Sequence, residues 1–282
     1  MTQSGDHRPI GIFDSGIGGL TVAQAIQQAL PHERLLYFGD NANVPYGAKT
    51  NVEILRLSRG ITRALLERDC KLIVIACNTA SAAALKPLRA ELPEVTFVGM
   101  EPAVKPAAEH TRTGVVGVIA TVATVQGEVF TSIVERFAQD VKVIKQACPG
   151  LVLQIEAGEY ATPKTEAMLR GWLEPMVAAG IDALVLGCTH YPFVRPLIER
   201  IVGPQVRVID PAPAIARRVE HVLRGTGALA GDDRSGGMHC FTSGVPEFFR
   251  GVLQHLGMTD AHVGQGHWAG NELTLSYTSP RI

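Results

Sequence analysis

The chain has 282 residues, enough for two domains of ordinary size. Its 26 Lys and Arg nearly balance its 27 Asp and Glu, and a net charge of -1 argues against a nucleic-acid scaffold, which needs a basic surface. The sequence shows no apolar run of the roughly 20 residues that span a bilayer, and no basic-then-apolar secretion signal. We therefore expect a cytoplasmic protein with no membrane contact.

Short apolar segments, typical of buried parallel strands, alternate with longer amphipathic segments, typical of helices. In chain order, the predicted strands are Pro9–Phe13, Leu35–Phe38, Leu72–Ala76, Thr96–Val98, Val115–Ile119, Lys142–Ala147, Ala183–Leu186 and Arg207–Ile209. The predicted helices are Leu20–Leu30, Asn51–Arg68, Ala80–Glu91, Gln126–Ala138, Pro163–Ala179, Phe193–Val202 and the amphipathic segment Pro246–Leu256. This alternation predicts a doubly wound α/β architecture, in which ligands bind beyond the carboxyl ends of the strands.

A weak internal repeat suggests that the chain has two related halves. Residues 71–79 read KLIVIACNT and residues 182–190 read DALVLGCTH, so each copy is an apolar strand that ends on a cysteine. We expect two similar doubly wound α/β domains with mostly parallel sheets and the active site in the cleft between them. The first would contain residues 1–101 and 213–282, and the second residues 102–212.

The five cysteines are odd in number and widely spaced, which predicts free thiols rather than a disulfide framework or a zinc site. A single cysteine at a strand end would most simply be a buried apolar residue. Cys77 and Cys188, however, occur in matching contexts, each followed by polar residues where a helix is predicted to start. Because a helix N-terminus favours a thiolate, we interpret both as reactive.

The segment Gly11–Gly19 combines a strand end, Asp14 and Ser15, with a glycine-rich turn. Turn amides of this kind can bind a carboxylate or a phosphate. The glycine spacing differs from the dinucleotide fingerprint, and a carboxylate before the glycines would repel a pyrophosphate, so nucleotide binding is the weaker interpretation. An ordinary turn, with Asp14 capping the next helix, would also explain the segment.

Three further segments carry polar residues with two possible interpretations each. Tyr46 lies in the polar loop Asp40–Gly47, which is rich in hydrogen-bonding groups, but a turn in which Tyr46 only packs would explain the loop equally well. His190, close to Cys188, could orient a reacting group or make a structural hydrogen bond. Glu156 ends an apolar run in Cys148–Gly158 and could project into a cleft, although its position alone favours a solvated charge on a loop.

Taken together, these segments resemble glutamate racemases of the aspartate/glutamate racemase family. The matching stretches fall in the family's order, and they are Gly11–Gly19, Asp40–Gly47, Cys77–Ser81, Cys148–Gly158 and Gly187–Pro192. The sequences CNTAS and GCTHYP are highly specific for the family when they occur together. Aspartate racemases look different after their second cysteine, so THYP indicates glutamate.

The resemblance implies an isomerase that interconverts L-glutamate and D-glutamate without cofactor or metal and supplies D-glutamate for peptidoglycan, hence for the cell wall and cell shape. Cys77 and Cys188 would be the acid/base residues on opposite faces of the substrate. Asp14, Glu156 and His190 match residues thought to assist them. The residues that match the substrate-binding pairs are Asp14, Ser15, Tyr46, Gly47, Asn78, Thr79, Thr189 and His190. The family is commonly dimeric, so we expect a homodimer that binds no nucleic acid.

Three alternatives remain open from the sequence. The first is an aspartate racemase or a related cofactor-independent racemase or decarboxylase. The second is a cysteine hydrolase that uses a Cys188–His190 pair, since side chains two residues apart on an extended chain point to one face. The third is a protein that binds a ligand or a partner without catalysis.

Overall fold

The computed structural model describes residues 5–232 and 235–277. The chain divides into two compact units, one containing Met1–Met100 and Ala212–Ile282 and the other Glu101–Pro211. Each unit has its own sheet. Among the described residues, no helix has both the length and the apolar character that a membrane crossing requires.

The first hundred residues form alternating strands and helices, as the sequence predicts. The strands are β1 (Ile10–Asp14), β2 (Arg34–Gly39), β3 (Leu72–Ile75) and β4 (Phe97–Gly99), and the helices are α1 (Leu20–Ala29), α2 (Asn51–Leu66) and α3 (Asn78–Glu91). All four strands pair in parallel in the order β2-β1-β3-β4. The strand order therefore reverses between β1 and β3, the place where open α/β sheets bind ligands.

The second unit repeats this strand order. Its strands are β5 (Val115–Ala120), β6 (Lys142–Ala147), β7 (Ala183–Leu186) and β8 (Arg207–Ile209). Its helices are α4 (Val104–His110), α5 (Val122–Gln126), α6 (Glu128–Phe137), α7 (Leu151–Glu156), α8 (Pro163–Ala178) and α9 (Arg195–Val202). The parallel sheet runs β6-β5-β7-β8, so β7 corresponds to β3 of the first unit.

The last part of the chain returns to the first unit and enlarges its sheet. It contains α10 (Ala212–Thr226), β9 (Gly237–Thr242), α11 (Pro246–His255), β10 (His262–Ala269) and β11 (Glu272–Ser276). β9 pairs in parallel with β2, β10 pairs in parallel with β9, and β11 pairs antiparallel with β10. The described sheet of the first unit is thus seven-stranded, β11-β10-β9-β2-β1-β3-β4.

The structure confirms the α/β class with mostly parallel sheets and all eight predicted strands, with small differences at their ends. It also shows elements that the sequence prediction missed, namely strands β9, β10 and β11 and helices α4, α5, α7 and α10. The two sheets share a four-stranded pattern but differ by three strands, so they are less alike than the repeat suggests.

Candidate active site

Cys77 lies at the start of α3, just beyond the carboxyl end of β3. It occupies the N-cap position, where its sulfur accepts a hydrogen bond from the backbone N–H of Ala80 at 3.4 Å. The thiol donates in turn to the hydroxyl of Ser15 at 3.8 Å. A helix N-terminus carries partial positive charge, so this position favours a thiolate. The sequence-based expectation of a helix start at Cys77 is confirmed.

Asp14 and Ser15 reach the same edge of the sheet because β1 pairs with β3. The Asp14 side chain is fully buried and accepts a hydrogen bond from the backbone N–H of Gly16 at 2.8 Å. The N-cap of α1 is Gly19, without a side-chain cap, so Asp14 is not the helix cap that the sequence allowed. A Cβ on Gly19 would approach the Asp14 Cβ to 2.7 Å, which explains this glycine.

Asn78 and Thr79 are the first residues of α3, and both are buried. Within the described part of the chain, neither the oxygen nor the nitrogen of the Asn78 amide has a hydrogen-bond partner. A buried amide without partners is costly, typically by about 1–3 kcal/mol. Such a side chain beside a thiol is well suited to bind a polar ligand.

Tyr46 and Gly47 lie in a short 3-10 turn, Tyr46–Ala48, that packs against α3. The buried Tyr46 hydroxyl donates to Asp40 Oδ2 at 2.7 Å. Burial raises the pKa of Tyr46 well above its usual value, and the nearby charges of Asp40, Cys77 and Asp14 add to that shift. Tyr46 is therefore a neutral phenol whose proton is directed at Asp40. Gly47, the next residue, is partly exposed.

Asp40 is a buried functional candidate that the sequence analysis quoted only as the start of a loop. Its signal was present, because it follows the second predicted strand as Asp14 ends the first. Acidic residues at neighbouring strand ends of a parallel sheet lie on one edge and merit the same attention.

Cys188 follows β7 and begins the turn that contains Thr189 and His190, all of them buried. Its sulfur lies 3.8 Å from His190 Nδ1. The backbone at His190 is helical, with φ −75° and ψ −27°, so a turn rather than an extended chain brings the two side chains together. Unlike Cys77, Cys188 does not cap a helix, because a 3-10 turn, Tyr191–Val194, comes before α9.

Glu156 is the last residue of α7 and pairs with the other nitrogen of the same imidazole. Glu156 Oε1 lies 2.6 Å from His190 Nε2, and the two side chains are 9% and 2% exposed. The sequence-based interpretation of Glu156 as a solvated loop charge is therefore wrong. A carboxylate on one ring nitrogen orients the imidazole, so its other nitrogen faces the Cys188 sulfur.

Comparison with known proteins identifies the family. The family model described as Asp/Glu/Hydantoin racemase matches residues 18–219. The chain belongs to this racemase family. A curated glutamate racemase from Roseiflexus sp. (strain RS-1) is 47% identical over 259 residues, covering 92% of this chain and 95% of the relative. The resemblance drawn from the motifs is thus confirmed.

Solved structures of racemases share the fold of this chain. Glutamate racemase from Bacillus anthracis matches with a TM-score of 0.83 at 33% identity, covering 92% of this chain and 97% of that one. Glutamate racemase from Escherichia coli, in complex with L-glutamate and the activator UDP-MurNAc-Ala, matches with a TM-score of 0.80 at 30% identity, covering 95% and 99%.

The other three cysteines of this racemase have a different environment. Burial raises the pKa of Cys70 and of Cys148 to about 12, and it raises the pKa of Cys240 further. Such thiols stay protonated at neutral pH and act as packing groups.

Each unit of the racemase places one cysteine among polar partners: Asp14, Ser15, Tyr46, Asn78 and Thr79 lie near Cys77, and Glu156, Thr189 and His190 lie near Cys188.

Proposed function

We propose that this racemase interconverts L-glutamate and D-glutamate without a cofactor, with Cys77 and Cys188 as its two acid/base groups. One observation carries the proposal. Cys77 follows β3 and Cys188 follows β7, which hold the same place in the strand order of their sheets. Each cysteine contacts groups that can hold or move a proton: Cys77 contacts the Ala80 N–H and Ser15, and Cys188 contacts His190.

Inverting an α-carbon requires removing its proton on one face and returning a proton on the other. In our proposal one cysteine is a thiolate and takes the Cα proton, while the other is a thiol and gives its proton to the opposite face. The thiol and thiolate have then exchanged places, and the reverse reaction restores them. Following the family, we assign Cys77 to the proton of D-glutamate and Cys188 to that of L-glutamate.

The carbanion formed on the way needs donors already positioned on the substrate's carboxylate, because the Cα–H is a very weak acid. We assign this binding to Ser15, Asn78, Thr79 and Thr189 and to the backbone of Tyr46-Gly47. The buried amide of Asn78, which has no hydrogen-bond partner among the described residues, supports that assignment, since a carboxylate and an ammonium group would satisfy both of its polar atoms. Asp14, Glu156 and His190 would assist the two thiols.

Glutamate is the substrate supported by the relatives from Roseiflexus and Bacillus anthracis, both named glutamate racemases, and by the L-glutamate bound to the Escherichia coli protein. The D-glutamate produced would enter peptidoglycan, and the enzyme would work in the cytoplasm as a homodimer. The sequence resemblance supports those last three statements, and light scattering of the purified protein tests the dimer.

The decisive assay follows the circular dichroism of L-glutamate incubated with purified protein after dialysis against a chelator. We expect the signal to decay to zero, because the racemate has none. In deuterated water, deuterium should appear at Cα, since the thiols exchange protons with solvent. L-aspartate and an arylmalonate run in parallel test the rival activities. Turnover of aspartate but not glutamate would make the protein an aspartate racemase.

A further inference from the structure

The carboxylate of Asp40 is the centre of a buried hydrogen-bond network next to the Cys77 site. In the described part of the chain, four side chains donate to it. These are Tyr46 (2.7 Å), Asn43 (3.0 Å), Ser243 (2.8 Å) and Trp268 (2.8 Å). A carboxylate has room for about four such donors, and hydrogen bonds to a charged acceptor are the strong ones. The position of Asp40 is therefore closely determined by these neighbours.

Two of the four donors come from the strands added to the first unit. Ser243 follows β9, and its hydroxyl accepts the backbone N–H of Ala42 at 3.0 Å, so its own proton is free to point at Asp40. Trp268 lies on β10, and its ring packs so closely on α2 that a Cβ on Gly60 would approach it to 2.6 Å. The indole N–H thus has a fixed direction.

We propose that Ser243 and Trp268 are positioning residues for substrate binding, acting through Asp40 on Tyr46. Asp40 receives their hydrogen bonds on one oxygen and that of Tyr46 on the other. Holding the Tyr46 hydroxyl holds the 3-10 turn Tyr46–Ala48, whose backbone then meets the substrate in a fixed place. This inference rests on the proposed function, which assigns Tyr46-Gly47 to substrate binding.

The test compares steady-state kinetics of Trp268→Phe and Ser243→Ala with those of the wild-type protein. Trp268→Phe keeps an aromatic ring on Gly60 but removes the N–H, and Ser243→Ala removes only the hydroxyl. Each should raise KM for glutamate by about 5-fold or more in both directions, with kcat changed less than about 2-fold, because the lost hydrogen bond orders the binding turn rather than a thiol.

Matched controls lie on the neighbouring strand β11. Leu273→Val removes packing from the same core, and Ser276→Ala removes a hydroxyl that contacts Gln265 and not Asp40. Leu273→Val should lower the Tm, and both should leave KM unchanged. An equal rise in KM in Leu273→Val would show that the effect of Trp268→Phe is loss of packing, and would overturn the proposal.

A double variant tests whether the effect passes through Tyr46. Tyr46→Phe removes the hydroxyl at the other end of the network, so adding Trp268→Phe should change KM little further. Effects that multiply would refute transmission through Asp40. If the wild-type protein fails to racemise glutamate, the proposed function is wrong, and calorimetric binding of glutamate decides this inference separately. Equal or absent binding in the wild-type protein and in Trp268→Phe would then overturn it.

Discussion

Cys77 and Cys188 occupy equivalent positions in the two units but have different neighbours. Cys77 caps a 14-residue helix, accepts a hydrogen bond from the backbone N–H of Ala80 and donates one to the Ser15 hydroxyl. Cys188 lies in a turn and contacts His190, which pairs with Glu156. A helix terminus provides a permanent dipole, whereas an imidazole–carboxylate pair can gain or lose a proton. The same strand order therefore surrounds its two cysteines with two different sets of polar partners.

The largest effect should come from removing either sulfur. Cys77→Ser and Cys188→Ser should each lower kcat for glutamate by about 1,000-fold or more, because a serine hydroxyl is a far weaker base than a thiolate. Circular dichroism measures this loss in both directions. Cys70→Ser, which changes a buried cysteine before the amino end of β3, is the control and should keep its activity. Racemisation by either variant within tenfold of wild type would contradict the two-thiol mechanism.

Alkylation with iodoacetamide should separate the two kinds of cysteine. With a pKa of about 12, Cys70 and Cys148 have only about one thiolate in ten thousand molecules at pH 8. Peptide mapping by mass spectrometry should therefore find Cys77 and Cys188 labelled first, and glutamate should protect both. Labelling of Cys148 as fast as Cys188 would show that the polar partners of Cys188 do not activate it.

Changing the Glu156–His190 pair should have a smaller effect on the rate, and it should affect the isotope effects of the two enantiomers differently. Glu156→Gln and His190→Asn should lower kcat/KM by about 10- to 100-fold. The fall in kcat/KM must be the same in both directions, because the two enantiomers have the same free energy in water and the equilibrium constant is therefore one. The asymmetry should appear in the primary isotope effect, which we expect to rise more for L-[2-²H]glutamate, the substrate assigned to Cys188.

The control for this pair is Glu199→Gln, which breaks an exposed ion pair with Arg195 and should leave the kinetics unchanged. An isotope effect that rises equally for both enantiomers would assign His190 a structural role.

The smallest effect should follow Ser15→Ala, which removes a weak contact from Cys77. We expect kcat/KM to fall by about 2- to 5-fold, with the isotope effect rising for D-[2-²H]glutamate instead. Ser58→Ala is a suitable control, because the buried Ser58 hydroxyl has no hydrogen-bond partner within residues 5–232 and 235–277. A larger loss from Ser15→Ala than from Glu156→Gln would reverse the comparison between the two cysteines.

The sequence alone determined the strands of both parallel cores and the placement of a cysteine after β3 and after β7. The strands before the two cysteines, β3 and β7, are apolar and buried on both faces, so the sequence pattern of each is sufficient to predict it. The motifs around the cysteines were also sufficient to indicate the racemase family.

Only the tertiary structure decided the remaining features. β10 contains Gly264 and Gly266 because Phe241 and Phe38 occupy the space that a side chain would need, and glycines conceal a strand from sequence patterns. The Glu156–His190 pair and the donors to Asp40 join residues far apart in the sequence. Such contacts depend on which strand ends and turns come together in the folded chain, and a local sequence pattern does not predict this.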